Sequence, residues 1–184
     1  MQIYSKTQVH EIALALKSGK AVVLPTDTVW AIASLNEGQI YTIKHRALEK
    51  KVCKFVATVD EIGMPSFLSD VIRNYMPGAL TVVWKDTSYR IPKCEFIIDI
   101  VKITGPLYQS SANISGQEPI GTSQQVFTEF KQYLDRIVIV DNSPYEQFSQ
   151  KPSTIINLDT LTVIRQGEID GERIIEEIKE RKLQ

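Results

Sequence analysis

Residues 21–34 read AVVLPTDTVWAIAS, two short apolar runs on either side of a polar turn. The run at 21–25 is continuous and ends at a proline, which is typical of a buried strand. The residues after the turn form a second strand-like run. The fold class therefore depends on whether helices or further strands lie on either side of this pair of strands.

Helical patterns lie on both sides of the two runs. A helix is expected from Thr7, as its N-cap, to Gly19, because the apolar residues between them share one face. A second helix is expected over 37–48, with Leu48 in its apolar face. Helices thus alternate with strands from the first residues onward.

The same alternation continues to the end of the chain. Strands are expected at 54–59, 79–84 and 136–140, and helices at 66–78, 96–104, 124–134 and 171–182, whereas the polar, proline-bearing stretch 85–93 is interpreted as a loop. Residues 153–158 and 161–166 form a closely spaced pair that is expected to be antiparallel. The pattern predicts a single α/β domain over 1–184 with a mixed sheet, since no linker or repeat interrupts it.

Charge and composition exclude several classes of protein. Basic and acidic residues number 21 and 22, for a net charge of −1, so no global field attracts nucleic acid or an anionic membrane. Cys53 and Cys94 form no CxxC motif, and the chain has two histidines, so no metal site within the protein is predicted. A local basic patch remains compatible with these numbers.

Targeting signals are missing from the sequence as given. The first twenty residues lack a continuous apolar segment, and no run approaches the roughly 18 apolar residues of a membrane span. We therefore expect a cytoplasmic protein without a membrane association. In that compartment the Asn113-Ile114-Ser115 sequon has no role in glycosylation.

Two polar segments in the first third of the chain are candidates for ligand binding. At 24–30, Thr26, Asp27 and Thr28 follow a strand end, where α/β proteins place ligands, although an ordinary turn fits the same residues. At 43–54, Lys44 and Arg46 belong to a basic cluster that suits phosphate or carboxylate. The alternative for this cluster is a solvated basic surface.

Two more candidates lie in the second half. Ser110, Ser111 and Asn113 offer neutral donors and acceptors next to Gly116, or they form a plain polar loop. Ser153 opens a strand, and Arg165 closes one, where it reaches a phosphate or pairs with Glu168 on the surface. Each of these signals is weak when taken alone.

Common nucleotide and nucleophile motifs are missing from the sequence. It contains neither GxGxxG nor GxxxxGK[ST], and it lacks the GxSxG signature of a nucleophilic serine. Any nucleotide would therefore be bound by scattered side chains.

Seven short motifs follow one another along the chain: PTDTVWAI (25–32), KHR (44–46), PGALT (77–81), RIP (90–92), GPLYQSSANISG (105–116), PST (152–154) and IRQG (164–167). In the same order they resemble the patterns PT[ED]TVYGL, KxR, PGxLT, RxP, GPL…SAN.SG, PST and [IL]R.G of the YrdC-type threonylcarbamoyl-AMP synthase family. The resemblance covers about residues 8–170 and is closest to the short, single-domain branch. It implies a twisted, mixed β-sheet flanked by helices, with an open concave ligand face.

The resemblance also implies an activity. Members of the family are nucleotidyltransferases that join L-threonine, bicarbonate and ATP into threonylcarbamoyl-AMP and pyrophosphate, with Mg²⁺ on the ATP phosphates. A separate tRNA threonylcarbamoyltransferase complex then uses the product to modify tRNA. Direct contact with tRNA is a further expectation.

Site residues carried over from the family fall into two groups. Those implied to bind threonine and the reacting centre are Thr26, Thr28, Ser110, Ser111, Asn113 and Ser153. Those implied to bind ATP are Lys44, Arg46, Lys50, Thr81, Ala112 and Arg165, of which Lys44 and Arg46 are also the expected catalytic pair. No covalent intermediate and no dedicated general base are required, because positioning and charge suffice.

The sequence departs from the family at several positions. Ala47 replaces a proline, Lys50 an asparagine that contacts ATP, and Phe55 a histidine near threonine. Trp30 and Ala31 replace a tyrosine and a glycine. These changes keep two alternatives open: an RNA-binding module of the same fold without synthase activity, and a relative that uses another carbamoyl or acyl substrate.

Overall fold

The computed structural model describes residues 2–117, 120, 122–141, 149 and 151–183. Its helices are α1 (Val9–Lys17), α2 (Glu37–Lys44), α3 (Ser66–Ile72), α4 (Glu95–Thr104), α5 (Ser123–Glu129) and α6 (Gly171–Lys182). Its strands are β1 (Gln2–Tyr4), β2 (Ala21–Leu24), β3 (Ala31–Ser34), β4 (Cys53–Phe55), β5 (Leu80–Trp84), β6 (Thr87–Arg90), β7 (Leu107–Ser111), β8 (Ile137–Val140), β9 (Thr154–Asn157) and β10 (Thr162–Arg165).

All ten of these strands form one sheet in the order β1-β8-β2-β3-β7-β4-β6-β5-β9-β10. The pairs β1/β8, β2/β8, β4/β6 and β5/β9 are parallel, and the remaining pairs are antiparallel. The predicted α/β class and mixed sheet are therefore confirmed, as is the antiparallel pair β9/β10. Residues 21–34 supply β2 and β3, which are buried along their whole length.

Three helix pairs bury the apolar faces of the sheet. Helices α1 and α4 pack against each other over the alternate residues Val22 and Leu24 of β2. Helices α2 and α5 cover the opposite face of that strand at Val23. At the other end of the sheet, α3 and α6 pack over β5 and β9.

One face of the sheet remains uncovered at β4, β6, β5 and β9. In β5, Leu80 and Val82 point toward α3 and α6, so Thr81 between them points to the other face. Ser88, Arg90 and Ile155 line a cleft on that face. The alternation of side chains along each strand thus gives one face to the core and the other to a concave surface.

Residues 85–93 do not form the predicted loop throughout. Thr87–Arg90 is strand β6, antiparallel to β5. The two strands are joined by a tight turn, in which Lys85 and Asp86 have φ values of 47° and 63°. Since most residues other than glycine avoid this left-handed region, the sequence gives little sign of the turn.

The ends of several elements also differ from the prediction. Helices α3 and α5 end early, at Ile72 and Glu129, and the strand expected at 54–59 is limited to Cys53–Phe55. Helix α1 has Gln8 at its N-cap instead of Thr7, whose hydroxyl lies 2.7 Å from that of Ser5. Helix α2 ends at Lys44, because His45 adopts the left-handed conformation with φ 49°, and Leu48 beyond it is 74% exposed. The early end of α2 turns the following basic residues toward the sheet.

Among the helices of the described residues, none has the length and apolar character needed to cross a membrane.

Candidate functional site

The cleft on the uncovered face of the sheet has a volume of about 350 Å³. Nine of the twelve predicted site residues line it, although they come from distant parts of the chain. They are Thr26, Thr28, Arg46, Thr81, Ser110, Ser111, Asn113, Ser153 and Arg165. Lys44, Lys50 and Ala112 do not line the cleft.

The turn after β2 presents two buried threonines. Thr26 donates its hydroxyl hydrogen to the carbonyl of Val29 at 2.6 Å, and the amide of Thr28 donates to Thr26 Oγ1 at 3.1 Å. The two hydroxyl oxygens are 3.2 Å apart. Internal hydrogen bonds therefore hold this turn in place, so it also satisfies the description of an ordinary polar turn.

Arg90, at the end of β6, lines the cleft next to this turn and was not predicted as a site residue. Its Nη2 donates to Asp27 Oδ1 at 2.7 Å, its Nη1 to Thr28 Oγ1 at 2.9 Å, and its Nε to the Gly78 carbonyl at 3.4 Å. The side chains of Arg90 and Asp27 are only 6% and 15% exposed. The arginine is thus a rigid, largely neutralised donor at the cleft wall.

Thr81, Ser153 and Arg165 form a second polar group. The hydroxyl oxygens of Thr81 and Ser153 lie 2.9 Å apart, and both residues are buried. Arg165 donates from Nη2 to the Ser153 carbonyl at 2.8 Å and from Nε to the same oxygen at 3.2 Å. In the described chain no ion pair joins Arg165 to Glu168, so the surface-pairing alternative is not what the structure shows.

Lys44 lies beneath the loop that follows β7. Its side chain is 1% exposed, and its ammonium donates to the Ser111 carbonyl and, at 3.3 Å, to Asn113 Oδ1. Burial and, to a smaller extent, the charge of Arg46 lower the pKa of Lys44 to about 7. No carboxylate pairs with this lysine among the residues that the structure describes.

The loop itself is organised around Asn113. Ser111 donates its hydroxyl hydrogen to Asn113 Oδ1 at 2.6 Å, and Asn113 Nδ2 donates to the Gln117 carbonyl at 2.6 Å. The Ser115 amide donates to the Lys44 carbonyl at 3.0 Å. This loop and the end of α2 are therefore one hydrogen-bonded unit, which explains how residues 69 positions apart, Lys44 and Asn113, come together.

Arg46 stands at the cleft rim and holds the loop that follows it. Its Nε and Nη2 donate to the carbonyls of Lys50 and Lys51 at 2.7 and 2.8 Å. The side chain of Lys50 is exposed and away from the cleft lining, whereas that of Lys51 lines the cleft and pairs with Asp86. Of these two neighbouring lysines, Lys51 is therefore the one that lines the cleft.

The charges around the cleft are unequal in sign. Its lining contains the cations Arg46, Lys51, Arg90 and Arg165 and, among the described residues, no aspartate or glutamate. Asp86 and Asp27, which do not line the cleft, form ion pairs with Lys51 and Arg90. Arg46 and Arg165 instead donate to neutral carbonyl oxygens, so their charges are available to an anionic ligand.

Among the positions that depart from the family pattern, Ala47 and Lys50 are exposed, whereas Phe55, Trp30 and Ala31 are buried. Phe55 is fully buried in the cluster under α1 and α4, as expected of a residue that only packs. Trp30 is buried against α2, and Ala31 forms part of the cleft wall. Ala112 is also fully buried, and its amide donates to the Trp30 carbonyl at 2.7 Å, so only its backbone is near the ligand face.

Three neutral residues that the sequence did not suggest form the cleft floor. Gln109, Cys53 and Ser88 lie side by side on β7, β4 and β6. Burial raises the pKa of the Cys53 thiol to about 11, so this sulfur stays protonated and is a poor nucleophile. Arg90 and Ser88 were missed because 85–93 was taken for a loop, although the RIP motif had marked Arg90.

A comparison with known families assigns the chain. Residues 14–167 match the model of the Sua5/YciO/YrdC family, whose description is "Telomere recombination". The chain belongs to the Sua5/YciO/YrdC family. The resemblance found from the seven motifs is thereby confirmed.

Relatives within the Sua5/YciO/YrdC family differ in length. A putative threonylcarbamoyl-AMP synthase of Mycobacterium tuberculosis is 31% identical over 188 residues, which cover 88% of this chain and 85% of the relative. Another from Methanocaldococcus jannaschii is 31% identical over 180 residues, covering 85% and 84%. The uncharacterized protein MG259 homolog of Mycoplasma pneumoniae is 29% identical over 158 residues, or 86% of this chain but 34% of that protein. The chain therefore spans about a third of the length of its mycoplasma relative.

Solved structures of the family share the fold. Sua5 from P. abyssi, complexed with L-threonine, superposes with a TM-score of 0.82 at 20% identity, covering 97% of this chain and 61% of that one. YciO from E. coli gives 0.77 at 17% identity, covering 92% and 97%. The mixed sheet with its concave face is thus the fold of the Sua5/YciO/YrdC family.

Proposed function

We propose that this chain is an L-threonylcarbamoyladenylate synthase. It would combine L-threonine, bicarbonate and ATP to give threonylcarbamoyl-AMP and pyrophosphate. The observation that carries the proposal is the cleft itself, which is lined by arginines, a lysine and hydroxyl groups and by no described carboxylate. Similarity to proteins named threonylcarbamoyl-AMP synthase supports the same function.

The reaction explains why the site needs cations more than a nucleophile. The amine of threonine and bicarbonate form a carbamate with loss of water. A carbamate oxygen then attacks the α-phosphorus of ATP, and the bond to pyrophosphate breaks. Attacking group and target are both anionic, so the protein must offset their charges and hold them in line.

Arg46, Lys44 and Arg165 are the proposed partners of the phosphates. Arg46 and Arg165 use part of their donors on neutral carbonyls, which leaves other N–H groups for phosphate oxygens. Lys44 adds a charge below the loop when it is protonated. Lys50, which is exposed, and Thr81 and Ala112 remain predicted ATP contacts.

The hydroxyl-rich end of the cleft suits the amino acid. Arg90 offers a fixed guanidinium for a carboxylate, and Thr26 and Thr28 adjoin it. Ser110, Ser111 and Ser153 also line the cleft, and Ser153 lies beside Thr81 and Arg165. We propose that these groups orient threonine so that its carbamate faces the α-phosphate.

Magnesium is proposed to enter as part of the MgATP substrate. Within the described residues, no group of three or more His, Cys, Asp or Glu side chains could hold an ion. A divalent ion on the phosphates prefers oxygen ligands and keeps several waters, so it needs few from the protein. The ion would lower the negative charge that the arginines have to offset.

Pyrophosphate release tests the proposed function. Purified protein is given MgATP in carbon-dioxide-depleted buffer, with L-threonine and bicarbonate added singly and together. Release that requires both supports the synthase. A folded protein that releases none under any combination contradicts it, and the same preparation then serves to test RNA binding.

The RNA-binding alternative makes a different prediction. Binding through the basic segment 44–54 would weaken steeply with added salt, because several phosphates would be contacted. Lys44 in that segment is buried and Lys51 is paired with Asp86, which leaves Arg46, Lys50 and Lys54 for contact with RNA. In the synthase proposal, contact with tRNA is secondary, and a separate transferase complex consumes the product.

A further inference from the structure

We propose that Asp27 is a positioning residue that makes one end of the cleft selective for a carboxylate over a phosphate. It would do so by fixing the Arg90 guanidinium and offsetting its charge. This inference rests on the proposed function insofar as the carboxylate belongs to the amino-acid substrate. Asp27 itself does not line the cleft and would act through Arg90.

The contacts of Arg90 show how its position is fixed. Three of its five N–H groups are used, on Asp27, Thr28 and the Gly78 carbonyl. These acceptors come from the turn after β2 and from the residues before β5, so they hold the guanidinium from two sides. One hydrogen on each Nη remains, so Arg90 can still donate two hydrogen bonds to the oxygens of a carboxylate.

The buried ion pair distinguishes Arg90 from the other arginines of the cleft. Its partner Oδ1 is 2.7 Å away in a largely water-free environment, so the charge of Arg90 is largely offset, although burial and, to a smaller extent, this charge lower the pKa of the nearby Arg165. Arg46 and Arg165 donate to carbonyl oxygens and have no carboxylate partner among the described residues. A multiply charged phosphate gains most beside these two, and beside Arg90 it would also be repelled by Asp27.

A carboxylate beside Arg90 is repelled by Asp27 less strongly than a phosphate is. It carries one negative charge, so its repulsion by Asp27 is about half that of a phosphate dianion, while the oriented guanidinium gives it two hydrogen bonds. The surroundings of Arg90 therefore favour a carboxylate, whereas those of Arg46 favour a phosphate. This difference fixes which way round the amino acid and the nucleotide bind.

The test compares Asp27→Asn with the wild-type protein. The dissociation constant for L-threonine is measured by calorimetry alone and with inorganic phosphate as competitor, so that the phosphate constant refers to the site that threonine occupies. The selectivity is the ratio of the phosphate constant to the threonine constant. We expect this ratio to fall about tenfold, because the phosphate loses more repulsion and the carboxylate loses an oriented partner. Asp27→Glu, which keeps the charge, is expected to retain most of the selectivity.

Asp86→Asn is the matched control. It removes the carboxylate partner of another cleft cation, Lys51, from an exposed pair in which Asp86 is 85% exposed. Asparagine also tolerates the positive φ of 63° at this position. Its ratio is expected to change less than about twofold, since exposed pairs contribute little.

The outcomes separate this inference from the proposed function. An unchanged ratio in Asp27→Asn, with threonine still bound, overturns the role of Asp27 and leaves the synthase proposal standing. A changed ratio without pyrophosphate release by the wild-type protein supports Asp27 and contradicts the synthase. Failure of the wild-type protein to bind threonine overturns both. Should Asp27→Asn not fold, Asp27→Ser provides the same comparison.

Discussion

The two faces of strands β5 and β9 have opposite surroundings. On one face Leu80, Val82 and Ile156 pack under α3 and α6 and are fully buried. On the other, Thr81 and Ile155 line the open cleft. Neighbouring residues of one strand thus have different roles. A substitution on the helix-covered face should change the free energy of unfolding, whereas a substitution on the cleft face should change ligand binding.

The largest effect is expected on the cleft side, from Arg46→Ala. Loss of a guanidinium at the phosphate end should reduce pyrophosphate release about 100- to 1,000-fold, the scale of losing one oriented donor to a developing charge. The melting temperature should stay within a few degrees, because only two loop carbonyls lose a donor. Steady-state kinetics and thermal unfolding measure the two quantities.

Arg73→Ala is the control for that variant. Arg73 forms an exposed ion pair with Asp60 beside α3, on the helix-covered side. Its loss should leave turnover unchanged. Full turnover by Arg46→Ala would remove that residue from the mechanism.

The same chemical change at two consecutive residues sharpens the comparison. Ile156→Ala opens a cavity in the core beneath α6 and should lower the free energy of unfolding by about 2–5 kcal/mol. Ile155→Ala, on the cleft floor, should cost clearly less, since its side chain is only partly buried. Urea unfolding of both variants gives the difference, and equal losses would contradict the assignment of the two faces.

MgATP binding in the cleft is expected to depend on pH through Lys44. Since its pKa is lowered to about 7, mainly by burial, the free protein loses this charge above pH 7. MgATP binding at pH 8 should then take up close to one proton, and affinity should fall up to about tenfold per pH unit above 7. Calorimetry at pH 8 in two buffers of different ionisation enthalpy measures the uptake, which Lys44→Met should abolish.

The contribution of Lys44 to stability changes with pH in the direction opposite to its contribution to MgATP binding. Between pH 7 and its ordinary pKa near 10.4, the unfolded chain binds more protons at Lys44 than the folded chain. The contribution of this residue to the free energy of unfolding therefore rises with pH in that window. Comparing wild type and Lys44→Met across the window isolates it, and parallel curves would contradict the shifted pKa.

The smallest effect is expected from Tyr75→Phe on the helix-covered side. The Tyr75 hydroxyl donates to Glu177 Oε1 at 2.7 Å and joins the end of α3 to α6. Its loss should lower the free energy of unfolding by about 0.5–1.5 kcal/mol and leave pyrophosphate release unchanged. A loss of turnover without loss of stability would show that the two faces are coupled.

Sequence patterns predicted those parts of the fold that depend on local periodicity. The buried run at 21–25 and the helix ending at Gly105 were found because apolar spacing and chain-breaking residues decide them. The strand β6 was missed, since its turn uses Lys85 and Asp86 in place of glycine. Backbone conformation of this kind is set by tertiary packing and leaves no compositional sign.

The site shows the same limit. Motifs identified Thr26, Arg46 and Arg165, but no spacing reveals that Lys44 sits under Asn113 or that Asp27 pairs with Arg90. Lys50 and Lys51 could not be distinguished either, because the early end of α2 decides which of them faces the cleft. Such details depend on contacts between residues that are distant in sequence.

The strand order also has a consequence for how the protein is made. The cleft floor places β7, β4, β6, β5 and β9 side by side, and β1 pairs with β8 over 130 residues away, as in Gln2 with Val138. During synthesis the first strand has no partner until most of the chain has left the ribosome. The ligand face is also completed late, because it includes β9. Folding is therefore expected to be slow for a chain of this size. The early strands can pair wrongly until the carboxyl-terminal third of the chain has been made.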